Sequence, residues 1–272
     1  MSEIMPIIRQ VTLGKDTDMV YDLQKASMWK RASAYIFDFI LICIVAVGVC
    51  FLLSAILGYD AQIEKMETAY AVYEDKYGID FDISQEDYDK LTDEQKAVYE
   101  IANEEFSKDT EIARIYTMLV NLTLIVITFG VLIAYVLLEV IVPLLFKNGQ
   151  TLGKKVFGVA VMRVDGVKIS PPILVIRTIL GKFTIETMAP ILLLMMIFFG
   201  AVDVIVGGVV IILIGVLQLI AIASTKTSST IHDLISGTVA VDMSSQMIFD
   251  TPEELIEYKK RIHAEMAEKA NY

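Results

Sequence analysis

Cysteine is scarce in this chain: Cys43 and Cys50 are the only two, and both fall inside one apolar run. That excludes a disulfide framework, and small hydrophobes in such a run face lipid or a neighbouring helix. Lysine and arginine never gather into a stripe with interleaved aromatics, so nothing neutralises phosphates and a nucleic-acid partner is excluded. A phosphate loop is missing too. The stretch Gly149-Gln-Thr-Leu-Gly153-Lys154-Lys155 has three residues between its glycines where the pattern needs four, and a second lysine where it needs Ser or Thr. No nucleophile–base pair and no metal-ligand spacing stands out, so neither an enzyme, a cofactor nor a metal centre is expected. Asp80, Asp82, Asp87 and Asp89 lack the glycine and terminal glutamate of a calcium loop, and read as solvated acidic surface. The residues before the first apolar run are mostly polar, and the run exceeds a signal h-region. A retained anchor is expected rather than a cleavable signal.

What the chain does have is apolar length. Its 272 residues are 55% hydrophobic yet still 21% charged, a mixture of apolar spans alternating with strongly polar segments. Four spans of membrane length are expected. The first runs from about Ala32 to Leu57, with Trp29 at its polar boundary, and the second from about Tyr116 to Phe146, with Glu139 and Pro143 near its end. Gly200-Ala-Val-Asp203 divides the last long apolar stretch into spans of about Gly181–Phe199 and Val204–Ala223. Gly207, Gly208 and Gly215 would let another helix approach the fourth closely. The fold class is therefore an all-α polytopic membrane protein, with four transmembrane helices, a small cytoplasmic β-hairpin and an extracytoplasmic helical hairpin. The lipid bilayer is its first partner.

Charge sits unevenly along the chain. From Asp60 to Arg114 there are 17 acidic and 6 basic residues, so the whole net charge of −11 lies there and the remainder balances. Within it, Ile63, Met66, Tyr70, Tyr73 and Tyr77 form a stripe at helical steps, Gly78 breaks it, and Thr92 with Gln95 fits a capping box. Residues 147–182 instead carry seven bases and one acid. The positive-inside rule then places both termini in the cytoplasm and the acidic segment outside, in a protein integral to the plasma membrane.

Between the spans, Lys147-Asn148-Gly149 reads as a helix end. Val156–Val164, the turn at Asp165-Gly166 and the return at Val167–Ile169 predict the hairpin, with Thr238–Val241 as a further strand. Ser170-Pro171-Pro172 opens a helix whose residues from Ile173 to Leu180 are expected to lie along the membrane interface. Asp250-Thr251-Pro252-Glu253-Glu254 starts a tail helix with Leu255, Tyr258, Ile262 and Met266 on one face.

The charges inside the spans are the candidate functional residues, because an ionisable group in hydrocarbon is costly and needs a partner or water. Arg31 and Asp38 are seven apart, so on a helix they share a face about 10 Å apart along the axis. Asp38, Glu139, Glu186, Arg177, Lys182 and Asp233 all fall toward one membrane face, with Gln218, Asn121 and Thr128 as modest polar candidates further in. His232 beside Asp233 reads as a hydrogen-bond partner rather than a metal ligand.

These pieces together resemble the RDD family of integral membrane proteins. They are Trp29-Lys-Arg31 with Ala34 and Asp38, Gly149–Lys155, Val161-Met-Arg-Val-Asp-Gly166, Arg177 after Pro-Pro, and His232-Asp233-Leu with Gly237-Thr238. The resemblance covers residues 29–57 and 117–243. It leaves 1–28 as a cytoplasmic leader, 58–116 as an acidic extracytoplasmic insertion and 244–272 as a cytoplasmic amphipathic helix. It implies that the name-giving residues fall on Arg31, Asp38 and Asp233, and it suggests a transport-related role for a small solute or ion. It brings no cofactor or catalytic residue.

Two readings of Arg31, Asp38, Arg177 and Asp233 remain open. In one, the two carboxylates pair with the two guanidinium groups and lock the spans together. In the other, Asp38 faces a cytoplasm-open cavity and binds an ion or a basic solute, with Glu139 as a second binding carboxylate. Transport by four spans predicts a homo-oligomer with a path at the interface. The alternative function is a non-transporting scaffold, whose acidic hairpin and tail helix dock a membrane or extracytoplasmic protein.

Overall fold

The computed structural model describes residues 23–146 and 148–270. Most of the leader, Lys147 and the side chain of Met266 lie outside the described residues. Four helices are long and apolar enough to cross a membrane: Met28–Leu57, Thr110–Phe146, Pro171–Phe198 and Val204–Ser224, here spans one to four. The chain is thus an all-α polytopic protein, with one small sheet.

Two units divide it: one holds the chain up to Leu41 and from Tyr135 onward, the other is Ile42–Ala134. In the second unit, α1 (Tyr59–Tyr77), α2 (Gln85–Asp89) and α3 (Asp93–Lys108) build the acidic helical hairpin. α1 stops at Gly78, and the capping box at Thr92 and Gln95 forms with both of its bonds. Met66, Ile112 and Ile115 make the core, and Tyr70, Tyr73 and Phe81 gather around Phe106. Deeper in that unit, a Cβ at Gly130 would lie 2.3 Å from Cys50 Sγ, so one of the two cysteines packs on a helix, while Cys43 is exposed.

In the first unit the spans are longer than their apolar runs. Residues 173–180 do not lie apart along an interface. They form the opening turns of span three, which runs unbroken from Pro171 because nothing before Phe199 ends the helix. Two stretches widen from α to π geometry, Val136–Ile141 in span two and Ile176–Met188 in span three. Thr178 Oγ1 donates to the carbonyl of Glu139 over 3.1 Å, and Thr184 Oγ1 to that of Ile179 over 2.8 Å. These bonds take up carbonyls of the loosened turns. Span three ends at Gly200, and Asp203 caps span four by accepting from the N–H groups of Ile205 and Val206.

The sheet pairs differently from the expected hairpin. β1 (Val159–Arg163) pairs antiparallel with β2 (Thr238–Asp242), in the register Val159↔Asp242 to Arg163↔Thr238. The turn at Asp165-Gly166 forms, but the return adds only a bridge from Met162 to Lys168. Beyond it the N–H of Lys168 donates to Phe249, so the return leaves β1 for the tail segment. Both strands are buried on both faces, which explains their continuous apolar reading. Val159 and Ala240 pack against Ala26 and Ala34 at the start of span one, and Val161 with Ile169 packs on Leu174 of span three. The sheet is a clamp between two span ends. Two short helices follow the same plan, α4 (Leu152–Val156) before β1 and α5 (Ile231–Ser236) before β2. The tail helix α6 (Pro252–Ala270) docks through Leu255 and Tyr258 on Val167 and Phe249.

Candidate functional site

Every charged residue singled out near the span ends comes together at the sheet end of the first unit. Asp233, on the first turn of α5, is its centre. Arg177 donates to Asp233 Oδ1 from Nε at 3.0 Å and from Nη2 at 2.8 Å, with both residues 2% exposed. Thr238 donates to the same oxygen, and Thr230 Oγ1 to Oδ2 at 2.9 Å. Arg31 reaches it less closely, its Nη2 standing 3.9 Å from Oδ2. Burial opposes ionisation of Asp233, yet Arg177 and these donors hold its carboxyl well below the usual range.

Asp38 has other partners than the expected guanidinium. Thr151 Oγ1 donates to its Oδ2, and the main-chain N–H of Gly153 donates to Oδ1 over 2.7 Å. Two arginines therefore share one carboxylate, and the second carboxylate holds a loop. The reason lies in α4: Thr151 is its N-cap, and the first turn of a helix offers unpaired N–H groups. Gly153 is needed for the approach, since a Cβ there would lie 2.4 Å from the carbonyl of Ala34 and 2.9 Å from Asp38. The rejected phosphate loop is thus a carboxylate clasp.

Glu139 lies behind this layer, 1% exposed. Lys182 Nζ donates to its Oε1 at 2.5 Å, and Lys154 Nζ stands 3.9 Å from Oε2, which has no hydrogen-bond partner among the described residues. Lys154 is buried beside Lys182, and burial first, then that like charge, pushes its pKa down to about 7. The π geometry of span three makes this possible. An i→i+5 repeat stacks Arg177 and Lys182 on one face, where a 3.6-residue period would splay them. Sequence reading at the α-helical period missed that alignment, as it missed Thr151 and Lys154.

Glu186, one turn further, accepts from the His232 N–H at 3.0 Å and from Gln218 Nε2 at 3.2 Å, and lies 2.8 Å from His232 Nδ1. Gln218 Oε1 in turn accepts from the N–H of Ile231, so span four is tied to α5. Burial keeps His232 below its ordinary pKa, favouring the neutral ring. Gly181 lets α5 press on span three, because a Cβ there would lie 2.5 Å from His232 Cβ. Asn121 and Thr128 belong to the other unit and do not enter this network.

In all, the basic side chains Arg31, Lys154, Arg177 and Lys182 stand against the carboxylates Asp38, Glu139, Glu186 and Asp233. Beside them opens a cavity of about 550 Å³, walled by spans one, three and four. Arg31, Asp38, Arg177, Glu186 and Gln218 line its polar end, with Pro190, Ile211, Ile214 and Ile222 among the apolar walls. Glu139 does not line it. Among the described residues, no group of three or more His, Cys, Asp or Glu could hold a metal ion.

A model of the RDD family matches residues 25–237, which takes in the whole of this network except Thr238. No curated protein and no solved structure matches the chain.

Proposed function

Because the chain belongs to the RDD family, membrane proteins with several spans, we propose that it has a transport-related role, taking a small solute or ion into the cavity at its sheet end. One observation carries the reading: a hydrogen-bonded cluster of opposite charges sits beside an open volume of about 550 Å³ rather than closing it. A cluster needed only to fasten helices would gain most from complete packing. The carboxylates are not the binding groups in this reading. Asp38 has both oxygens engaged, and Glu139 is covered by two lysines. They hold the walls. The reading includes no catalytic step.

The basic residues of 147–182 support, by the positive-inside rule, a cytoplasmic place for this end and for both termini, in what this reading takes to be a plasma membrane protein. Four spans with polar lining confined to one end call for a second copy to complete any path. The test is flux in proteoliposomes for proton, sodium and an anionic solute, comparing the native chain with Gly215→Leu. Gly215 lines the cavity with nothing within 4 Å of an added Cβ, so a larger side chain there starts into open space. Flux that is present and drops by about tenfold or more in the variant supports the reading; absent or unaltered flux overturns it.

A second reading is a scaffold without transport. It is favoured by the acidic hairpin, most of whose 17 acidic residues are exposed. Crosslinking with and without residues 60–114 tests it, and an unaltered set of partners would count against docking there.

A further inference from the structure

We propose that the cavity between spans one, three and four binds an anionic amphiphile, with its phosphate or carboxylate head at Arg31 and its apolar chain along span four. This rests on the cavity reading above and names the chemistry that the cavity selects.

The argument is one of unspent valence. The carboxylates lining the cavity are engaged: Asp38 by Thr151 and Gly153, Asp233 by Arg177, Thr230 and Thr238, and Glu186 by His232 and Gln218. One donor group is not. Among the described residues the Arg31 guanidinium makes no hydrogen bond, only the 3.9 Å ion pair to Asp233. Its side chain is 13% exposed, and it lines the cavity. A guanidinium carries five N–H donors in a planar fork suited to a phosphate or carboxylate. Lys154, Arg177 and Lys182 line the same volume, but each already faces a carboxylate, Glu139 or Asp233, so the Arg31 fork is the donor group left over. An incoming cation would meet donors and occupied oxygens. An anion meets an open fork.

The walls specify the other half of the ligand. Beyond Gln218, Gly215, Ile214 and Ile211 lead away from the charged end along span four, opposite Pro190 of span three, while Ile222 adds an apolar contact on the near side of Gln218. Arg31 is the fourth residue of span one, and Trp29 beside it is 84% exposed. That is the depth at which aromatic rings and lipid headgroups meet. A small inorganic anion would leave these walls unused.

The full chain in detergent micelles is titrated with lauroyl lysophosphatidylglycerol, lauroyl lysophosphatidylcholine, laurate and inorganic phosphate, with binding read by native mass spectrometry. At least one of the two anionic amphiphiles is expected to bind about tenfold tighter than the zwitterionic one and than phosphate. If lysophosphatidylglycerol is the tighter of the two, the ligand is a lipid headgroup; if laurate is, it is a free amphiphilic acid. Arg31→Gln should abolish the preference, Arg31→Lys should keep part of it, and Gly215→Leu should weaken every amphiphile. Equal binding of anionic and zwitterionic ligands, a preference that survives Arg31→Gln, or phosphate binding as tightly as the amphiphiles would each overturn the proposal. Should Arg31→Gln not fold, Arg31→Lys and Gly215→Leu decide, and unaltered binding in both refutes it. Preferential binding without flux sinks the transport reading and leaves the site; flux without the preference sinks the site alone.

Discussion

The main-chain N–H of Gly153 donates to Asp38 Oδ1 over 2.7 Å, joining span one to a loop 115 residues further along the chain. An acid inside an apolar helix is thereby spent on fastening the α4 turn. Gly153→Ala should disrupt it, because the new Cβ would meet the Ala34 carbonyl at 2.4 Å. The expected cost is about 1–3 kcal/mol. Asp38→Asn should cost a similar amount, and the double variant less than the sum, since both break one contact. Unfolding of the three variants in mixed micelles measures this; strict additivity would count against a shared clasp.

Asp233 serves two arginines, so Asp233→Asn should be the most damaging single substitution in the cluster, costing about 3–5 kcal/mol. Arg31→Gln should cost far less, because Arg31 contributes only the longer ion pair. Thermal unfolding of the two variants side by side is the check, and an equal loss would contradict the asymmetry.

Lys154 gives the pH dependence. Its folded pKa is about 7 against an ordinary 10.5, so between those values the unfolded chain binds more protons than the folded one. Stability should therefore increase as pH rises from about 7 to about 10.5. In Lys154→Met that part of the slope should vanish. Denaturation of both proteins across this window measures it, and parallel curves would show that Lys154 does not contribute.

Thr92 caps α3 through Gln95, with Thr92 Oγ1 accepting from the Gln95 N–H and Gln95 Oε1 from the Thr92 N–H. Thr92→Ala should lower the local stability of α3 by about 1 kcal/mol. Faster amide exchange over residues 93–108 is the expected signal.

Gly181 touches His232 where α5 meets span three. Gly181→Ala should displace α5 and loosen the Glu186–His232 contact, at a cost of about 1–3 kcal/mol. Reduced amide protection across residues 231–236 would report it.

The sequence by itself determined the number of spans, the acidic hairpin and the gathering of charge toward one end, because hydrophobic length, capping residues and Gly breaks act locally. Gly78, the box at Thr92 and the turn at Gly200 did so without help from distant residues. It also marked Arg31, Asp38, Arg177 and Asp233 as residues that must be compensated. Only the tertiary structure decided which partner each one takes. Asp38 goes to Thr151 and Gly153 because a capped turn brings free N–H groups to it, and Asp233 takes both arginines. Arg177 and Lys182 share a face only because span three is π-wound, a departure held by contacts such as Thr178 with Glu139. β1 likewise chose β2 over the nearby return, since burial on both faces of the sheet outweighs proximity in sequence. A charge in an apolar helix announces that compensation is needed, but the compensating atom comes from whichever segment the packing brings within about 3 Å.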